Sequence, residues 1–213
     1  MDFQKNTVLL IDDHPMLRSG VKHLINSTNQ FNVIAETGIA SEGIMLAEKW
    51  EPDIILLDIN MGTINGLDVL REIRAKNISS RIIMFTVSNN KEDIIQALRS
   101  GADGYLLKDM EPEDMLAALQ EVVKGKLIMD TAISQVMLNY MRADSPTDEQ
   151  HDITLLTPRE KQIFELLIQG LSNKLIAKEL DIVESTVKVH IKSIFKKLNF
   201  KSRMEMTVWF LQK

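Results

Sequence analysis

Between Asp53 and Asp58 the chain carries four residues, Ile54 to Leu57, with no polar side chain. A run this short and this apolar suits a strand covered on both faces, as in a parallel sheet with helices above and below. Comparable runs stand at TVLLI (7–11), RIIMF (81–85) and GYLL (104–107), with a weaker one at FNVIAE (31–36). Segments of helical spacing lie between them, with Leu17, Val21, Leu24 and Ile25 in the first and Leu116, Leu119 and Val123 in the last. Alternating strands and helices of this size imply right-handed crossovers and an α/β, doubly wound, five-stranded parallel sheet. The carboxyl ends of its strands share one edge, and ligands bind there.

That edge would carry Asp12 and Asp13 after the first run, Asp58 after the third, Thr86 after the fourth and Lys108 after the fifth. Each has an ordinary explanation alone: aspartates form turns, threonine favours strands, and lysine is usually a solvated charge. Together they describe a phosphoryl site. Carboxylates held together repel, and a hard dication such as Mg²⁺ relieves that cost while leaving positions open for phosphate oxygens. Lys108 and Thr86 would supply a cation and a hydrogen-bond donor to the phosphoryl group.

At 213 residues the chain has room for two domains, each with a core. It has no cysteine, which excludes disulfides, thiolate metal sites and a cysteine nucleophile. No apolar stretch approaches the roughly 18 residues of a spanning helix, and the N-terminus lacks the pattern of a signal peptide, so a cytoplasmic protein is expected. Charge is divided unevenly, −7 over residues 1–130 and +4 over residues 152–213. A basic end on an acidic body suggests that one end meets a polyanion.

Ile133, Val136, Met137, Tyr140 and Met141 follow the spacing of one helical face, which predicts a linker helix, and RADSPTDEQHD (142–152) reads as an exposed tether. The expected divisions are therefore a first domain over 1–126, a connector over 127–151 and a smaller all-α domain over 152–213. Thr157-Pro158-Arg159-Glu160 is a capping box with proline at the first helical position. A second short helix should follow Ser172. In ESTVKVHIKSIFKKLN, Val187, Ile191, Ile194, Phe195 and Leu198 form an inward stripe, while Ser185, Lys188, Val189, Lys192 and Lys196 lie outward. An outer face with lysines, a small apolar residue and no acid suits a helix that enters the major groove of DNA. A solvated lysine face is the ordinary alternative; the two preceding helices and the charge shift favour a helix-turn-helix.

LLIDDHP, ILLDIN, the Thr86 strand and GADGYLLKD resemble the receiver domain of bacterial response regulators, and LTPRE, NKLIAKELDI, ESTVKVHIK and KSR resemble the DNA-binding domain of the NarL/FixJ (LuxR-type) family. The resemblance implies that Asp58 accepts phosphate from a sensor histidine kinase and that Asp13, Asp58 and the carbonyl of Asn60 bind Mg²⁺, with Asp12 assisting. Thr86 and Tyr105 match positions that shift on activation, and Lys108 matches the lysine that contacts phosphoryl oxygens. It further implies base-edge contacts from Lys188, Val189 and Lys192, and phosphate-backbone contacts from Lys174, Lys196, Lys197 and Lys201. Phosphorylation would uncover the recognition helix for double-stranded DNA, with RNA polymerase a further partner in transcription. Met204, Val208, Trp209 and Leu211 match the family's homodimer surface and could equally be core. IDDHPMLRSGVK and GADGYLLKDMEPEDML are most similar to the family's nitrate/nitrite regulators, which implies control of respiration genes.

Two departures stand out. Met61-Gly62 replaces the usual Met-Pro after the acceptor strand, which frees φ and predicts a less restrained loop. Val183 stands where a serine or threonine would cap the recognition helix, at a loss on the order of 1 kcal/mol. His14 and His190 have no sequence neighbours at metal-ligand spacing and read as structural or phosphate-facing. A regulator of another stimulus, or a Mg²⁺-dependent phosphotransferase or phosphatase, remains an alternative; a dinucleotide enzyme is disfavoured by the absence of G-x-G-x-x-G after a strand.

Overall fold

The structure is a computed structural model that describes residues 5–124 and 151–211. The predicted linker helix and most of the tether lie outside these residues.

The first domain runs β1 (Asn6–Ile11), α1 (Pro15–Asn26), β2 (Phe31–Thr37), α2 (Ala40–Trp50), β3 (Ile54–Leu57), β4 (Asn60–Met61), β5 (Ile64–Asn65), α3 (Gly66–Ala75), β6 (Arg81–Thr86), α4 (Lys91–Arg99), β7 (Gly104–Leu107) and α5 (Pro112–Val123). Five strands form one parallel sheet in the order β2-β1-β3-β6-β7, as the alternation predicted. In β3 all four residues are buried, because successive side chains enter opposite cores. Leu9, Ile11, Ile55 and Leu57 face a core built with α2, α3 and α4, whereas Val8, Leu10, Ile54 and Leu56 face one built with α1 and α5. Each such side chain contributes about 1.5–3 kcal/mol of burial, so slipping β3 by one residue would gain nothing on one face without loss on the other.

The segment after Asp58 is an antiparallel hairpin and not an open loop, with Asn60 paired to Asn65 and Met61 to Ile64. Gly62 makes this turn possible: its φ of +61° is the left-handed region that glycine enters without penalty, at the first loop position of a II′-type hairpin. The freedom of φ inferred at Gly62 is thus used for a defined turn.

The second domain contains a 3-10 turn (Ile153–Leu155), α6 (Pro158–Ile168), α7 (Asn173–Glu179), α8 (Glu184–Leu198) and α9 (Arg203–Leu211). Thr157 and Glu160 form the reciprocal capping box, and Ser172 Oγ accepts a hydrogen bond from Leu175 N. The inward stripe of α8, Val187, Ile191, Ile194, Phe195 and Leu198, is buried in this domain's own core. Val183 is the N-cap of α8 and makes no side-chain capping bond. Met204 is different: it is buried in the first domain's core cluster, with Val208 packed against the same cluster, while Trp209 packs on its own domain. The start of α9 is therefore docked on the first domain.

Candidate functional site

Backbone pairing explains why distant residues meet. β1 lies beside β3 with Ile11 opposite Leu57, and β3 beside β6 with Leu57 opposite Met84, so the residues that follow these strands emerge together. Asp58 is buried at 1% exposure, and Lys108 Nζ lies 2.6 Å from its Oδ2 and 2.9 Å from Asp12 Oδ2. A lysine this close neutralises part of the carboxylate charge and keeps a cation where phosphoryl oxygens would arrive.

The donor set suits a hard cation. Ligand atoms of Asp12, Asp13, His14 and Asp58 all lie within 4.8 Å of one another. Asp13 Oδ1 is buried and receives no well-aligned hydrogen bond, although His14 Nδ1 stands 2.8 Å away. An orphan carboxylate oxygen beside two further carboxylates is what a dication would satisfy. His14 corrects the reading from sequence: its ring is part of this cluster, 3.3 Å from Asp12 Oδ1 and 3.7 Å from Asp58 Oδ2. Adjacent residues in the Asp12-Asp13-His14 turn converge because Asp12 Oδ1 accepts the His14 amide at 2.8 Å.

Asn60 is exposed at the start of the hairpin, and its amide donates to Asp58 Oδ1 at 3.2 Å. Thr86 is fully buried at the end of β6, and its Oγ1 accepts from Ser88 N at 3.3 Å. Tyr105 is buried as well, and its hydroxyl donates to Ser88 O at 2.8 Å. Burial pushes the Tyr105 hydroxyl well above the ordinary tyrosine pKa, against the hydrogen bond to Ser88, so it remains a neutral donor. Both side chains thus close on one residue, Ser88, which the sequence did not single out.

On the second domain Val189 is 67% exposed, and Lys192, Lys196 and Lys201 are also exposed. Lys197 is not free for a polyanion: its Nζ lies 2.7 Å from Glu160 Oε2. Burial would raise the Glu160 pKa, but Lys197, Ser193 and Thr157 outweigh it and bring it down to about 2. Lys188 and Lys174 face the first domain. Lys188 Nζ donates to the Glu51 carbonyl at 2.7 Å, and Lys174 Nζ reaches Asp53 Oδ2 at 3.0 Å and the Lys5 carbonyl at 2.7 Å. Burial raises the Asp53 pKa, yet the Thr7 amide and Lys174 hold it below its ordinary value.

The sequence also gave no warning of a buried polar cluster between the domains. Arg74 pairs with Asp103 at 2.5 Å; Asp103 Oδ1 accepts from Met204 N at 3.4 Å, and Arg81 Nη2 donates to the Gly170 carbonyl at 3.2 Å. Arg203 is buried, donates to Asn173 Oδ1 and leaves its Nε without a partner. Burial and the neighbouring Arg81 lower its pKa to about 9. The cluster's cross-domain contacts join charged side chains of the receiver to backbone groups of the second domain, and no sequence pattern marks such pairs.

Two family descriptions match the chain: response regulator receiver domain over residues 8–120, and bacterial regulatory proteins, luxR family, over residues 154–210. Over 206 residues the chain is 52% identical to the nitrate/nitrite response regulator protein NarL of Escherichia coli K12, covering 97% of this chain and 95% of that protein. It is 41% identical to NarP of the same organism, covering 96% and 94%. The solved structure of response regulator ChrA, from a heme-sensing two-component system, is similar with a TM-score of 0.52 and 27% identity, over 99% of this chain and 98% of that one. With its acidic pocket on one domain and its exposed lysine helix on the other, the chain belongs to the two-component response regulators that join a receiver to a LuxR-type DNA-binding domain, and is a phosphorylation-controlled regulator of transcription rather than an enzyme.

Proposed function

We propose that Asp58 accepts phosphate from a sensor histidine kinase and that this releases α8 from the receiver to bind promoter DNA. In this reading residues 1–126 receive, 127–151 connect and 152–213 bind DNA. The observation that carries it is the Lys188–Glu51 contact of 2.7 Å, which holds an outward lysine of the recognition helix on the receiver. A groove-binding helix cannot meet DNA and the receiver through the same side chain.

Asp13, Asp58 and the Asn60 carbonyl, with Asp12, are the groups that would hold Mg²⁺, which supplies charge neutralisation to the incoming phosphoryl group when bound. Lys108 would pair with the phosphoryl oxygens after leaving Asp58, and Thr86 would donate its hydroxyl to them. Withdrawal of Thr86 from Ser88 would free the residue that Tyr105 also holds, linking acceptor and buried tyrosine. Lys188, Val189 and Lys192 are then the base-edge residues, with Lys174, Lys196 and Lys201 on the phosphate backbone; Lys197 would have to trade Glu160 for phosphate. Undocking also uncovers Met204 and Val208, which would serve a homodimer on paired half-sites and present it to RNA polymerase. Similarity to NarL and NarP supports nitrate or nitrite as the stimulus.

The test is intact-protein mass after incubation with Mg²⁺ and acetyl phosphate, followed by DNA binding of both forms. One phosphoryl group gained by wild type and not by Asp58→Asn, with tighter DNA binding only after the gain, is expected. Equal DNA binding by both forms would overturn the masking step.

A further inference from the structure

Pro15 is the first residue of α1, and the residue before a proline is pushed toward extended backbone, where His14 stands with φ −90° and ψ 100°. His14 is thereby the N-cap of α1, yet its side chain makes no capping bond. Its amide is held by Asp12 Oδ1 at 2.8 Å, and its ring turns onto the acidic pocket. Nδ1 lies 2.8 Å from Asp13 Oδ1, 3.3 Å from Asp12 Oδ1 and 3.7 Å from Asp58 Oδ2. Lys108 already engages Asp12 and Asp58, at 2.9 and 2.6 Å, whereas Asp13 Oδ1 is buried without a hydrogen bond. The unsatisfied oxygen and the imidazole nitrogen therefore stand side by side. Ligands on neighbouring corners of an octahedral ion, each roughly 2.1 Å from it, are about 3 Å apart. The Asp13–His14 pair has close to that spacing.

We propose that His14 is a further ligand of the metal pocket, and that its imidazole makes the pocket prefer a borderline transition dication, of the Fe²⁺ to Zn²⁺ series, over Mg²⁺. Carboxylates and carbonyls serve both classes of ion, so they discriminate little. Imidazole does discriminate: Mg²⁺ takes oxygen ligands and keeps its waters, whereas Fe²⁺, Co²⁺, Ni²⁺ and Zn²⁺ bind the ring nitrogen well. Among the ligand atoms that converge here, His14 Nδ1 is the one nitrogen, so it is the group that separates the two classes. The ring is 62% exposed and can adjust to an ion without disturbing the core. The proposal rests on the metal-site reading above and adds to it which ion the pocket takes. Supply of such an ion, as well as the kinase, would then set how readily Asp58 is phosphorylated.

The experiment is titration of the full-length protein with Mg²⁺ and, separately, with Co²⁺ at one fixed pH, read by calorimetry, with proton NMR of the Co²⁺-loaded form. His14→Ala, His14→Gln and Asp58→Asn are measured beside wild type. Expected in wild type is a hyperfine-shifted imidazole resonance, which reports a histidine bound directly to Co²⁺ and needs no variant to be seen. That resonance should vanish in both His14 variants, and the ratio of Co²⁺ to Mg²⁺ affinity should fall about tenfold in His14→Ala. A residue that only adjusts the charge or shape of the pocket would move both affinities together and leave their ratio alone. A wild-type spectrum without the shifted resonance, a resonance that survives in His14→Ala, or an unchanged ratio would each overturn the His14 ligand. Asp58→Asn should weaken both ions, and wild-type affinity for both in that variant would overturn the metal-site reading beneath it.

Discussion

Lys174 Nζ of the DNA-binding domain lies 3.0 Å from Asp53 Oδ2 of the receiver, at the residue that precedes the strand leading to Asp58. The pair is 20% and 12% exposed, so it is better shielded than a surface ion pair. Because Lys174 helps hold the Asp53 pKa below the ordinary 3.8, docking gains from this pair above that value and loses the gain as pH falls through the lowered one. Asp53→Asn should loosen docking by about 1 kcal/mol and raise the affinity of unphosphorylated full-length protein for duplex DNA about fivefold, as read by fluorescence anisotropy. An unchanged affinity would show that this pair does not hold the domains.

Gly66 opens α3 where the hairpin returns over the acceptor strand. A Cβ there would come within 1.8 Å of the Asp58 carbonyl oxygen, a backbone atom that cannot move aside alone. Gly66→Ala should therefore cost about 2–4 kcal/mol in urea unfolding of the receiver and slow phosphorylation of Asp58 together with it. Normal stability would require the hairpin to lift, which amide exchange at Ile59 and Asn60 would reveal.

Glu160 holds the start of α6 and Lys197 of α8 at once. Its pKa of about 2 against an ordinary 4.5 means that its stabilisation is present above pH 4.5 and disappears as pH falls toward 2. The full shift corresponds to an upper limit of about 3 kcal/mol. Glu160→Gln should lower the stability of the DNA-binding domain at pH 7 by up to that amount. The difference from wild type should vanish near pH 2, and a pH-independent difference would place the effect in packing.

Val183 has the extended backbone of an N-cap, with φ −76° and ψ 148°, but no side-chain acceptor. Val183→Ser should stabilise the domain by about 1 kcal/mol, seen as a higher thermal midpoint. Val183 is 66% exposed, so little apolar burial is lost in the exchange. A fall in the midpoint would mean that the valine methyls pack against something other than solvent.

Much of this protein was decided by local pattern. Ile54 to Leu57, bounded by aspartates, could be little other than a strand buried on both faces, and five such runs with helices between admit few topologies. The convergence of Asp12, Asp13, Asp58 and Lys108 followed from that topology, because parallel strands deliver their carboxyl ends to one edge. The capping box at Thr157 and the buried stripe from Val187 to Leu198 were legible too, since caps and helical faces depend on residues within one turn of each other. His14 was not, because its place among the carboxylates comes from a turn closed by Asp12 and from Asp58 on another strand. Nor could spacing show that Lys188 and Lys174 rest on the receiver, that Lys197 belongs to Glu160, or that Met204 leaves its own domain's core for another. The Lys197–Glu160 pair forms within the second domain, between two helices and from residues 37 apart; the others depend on how two separately folded surfaces meet, through groups 101 to 137 residues apart in the chain.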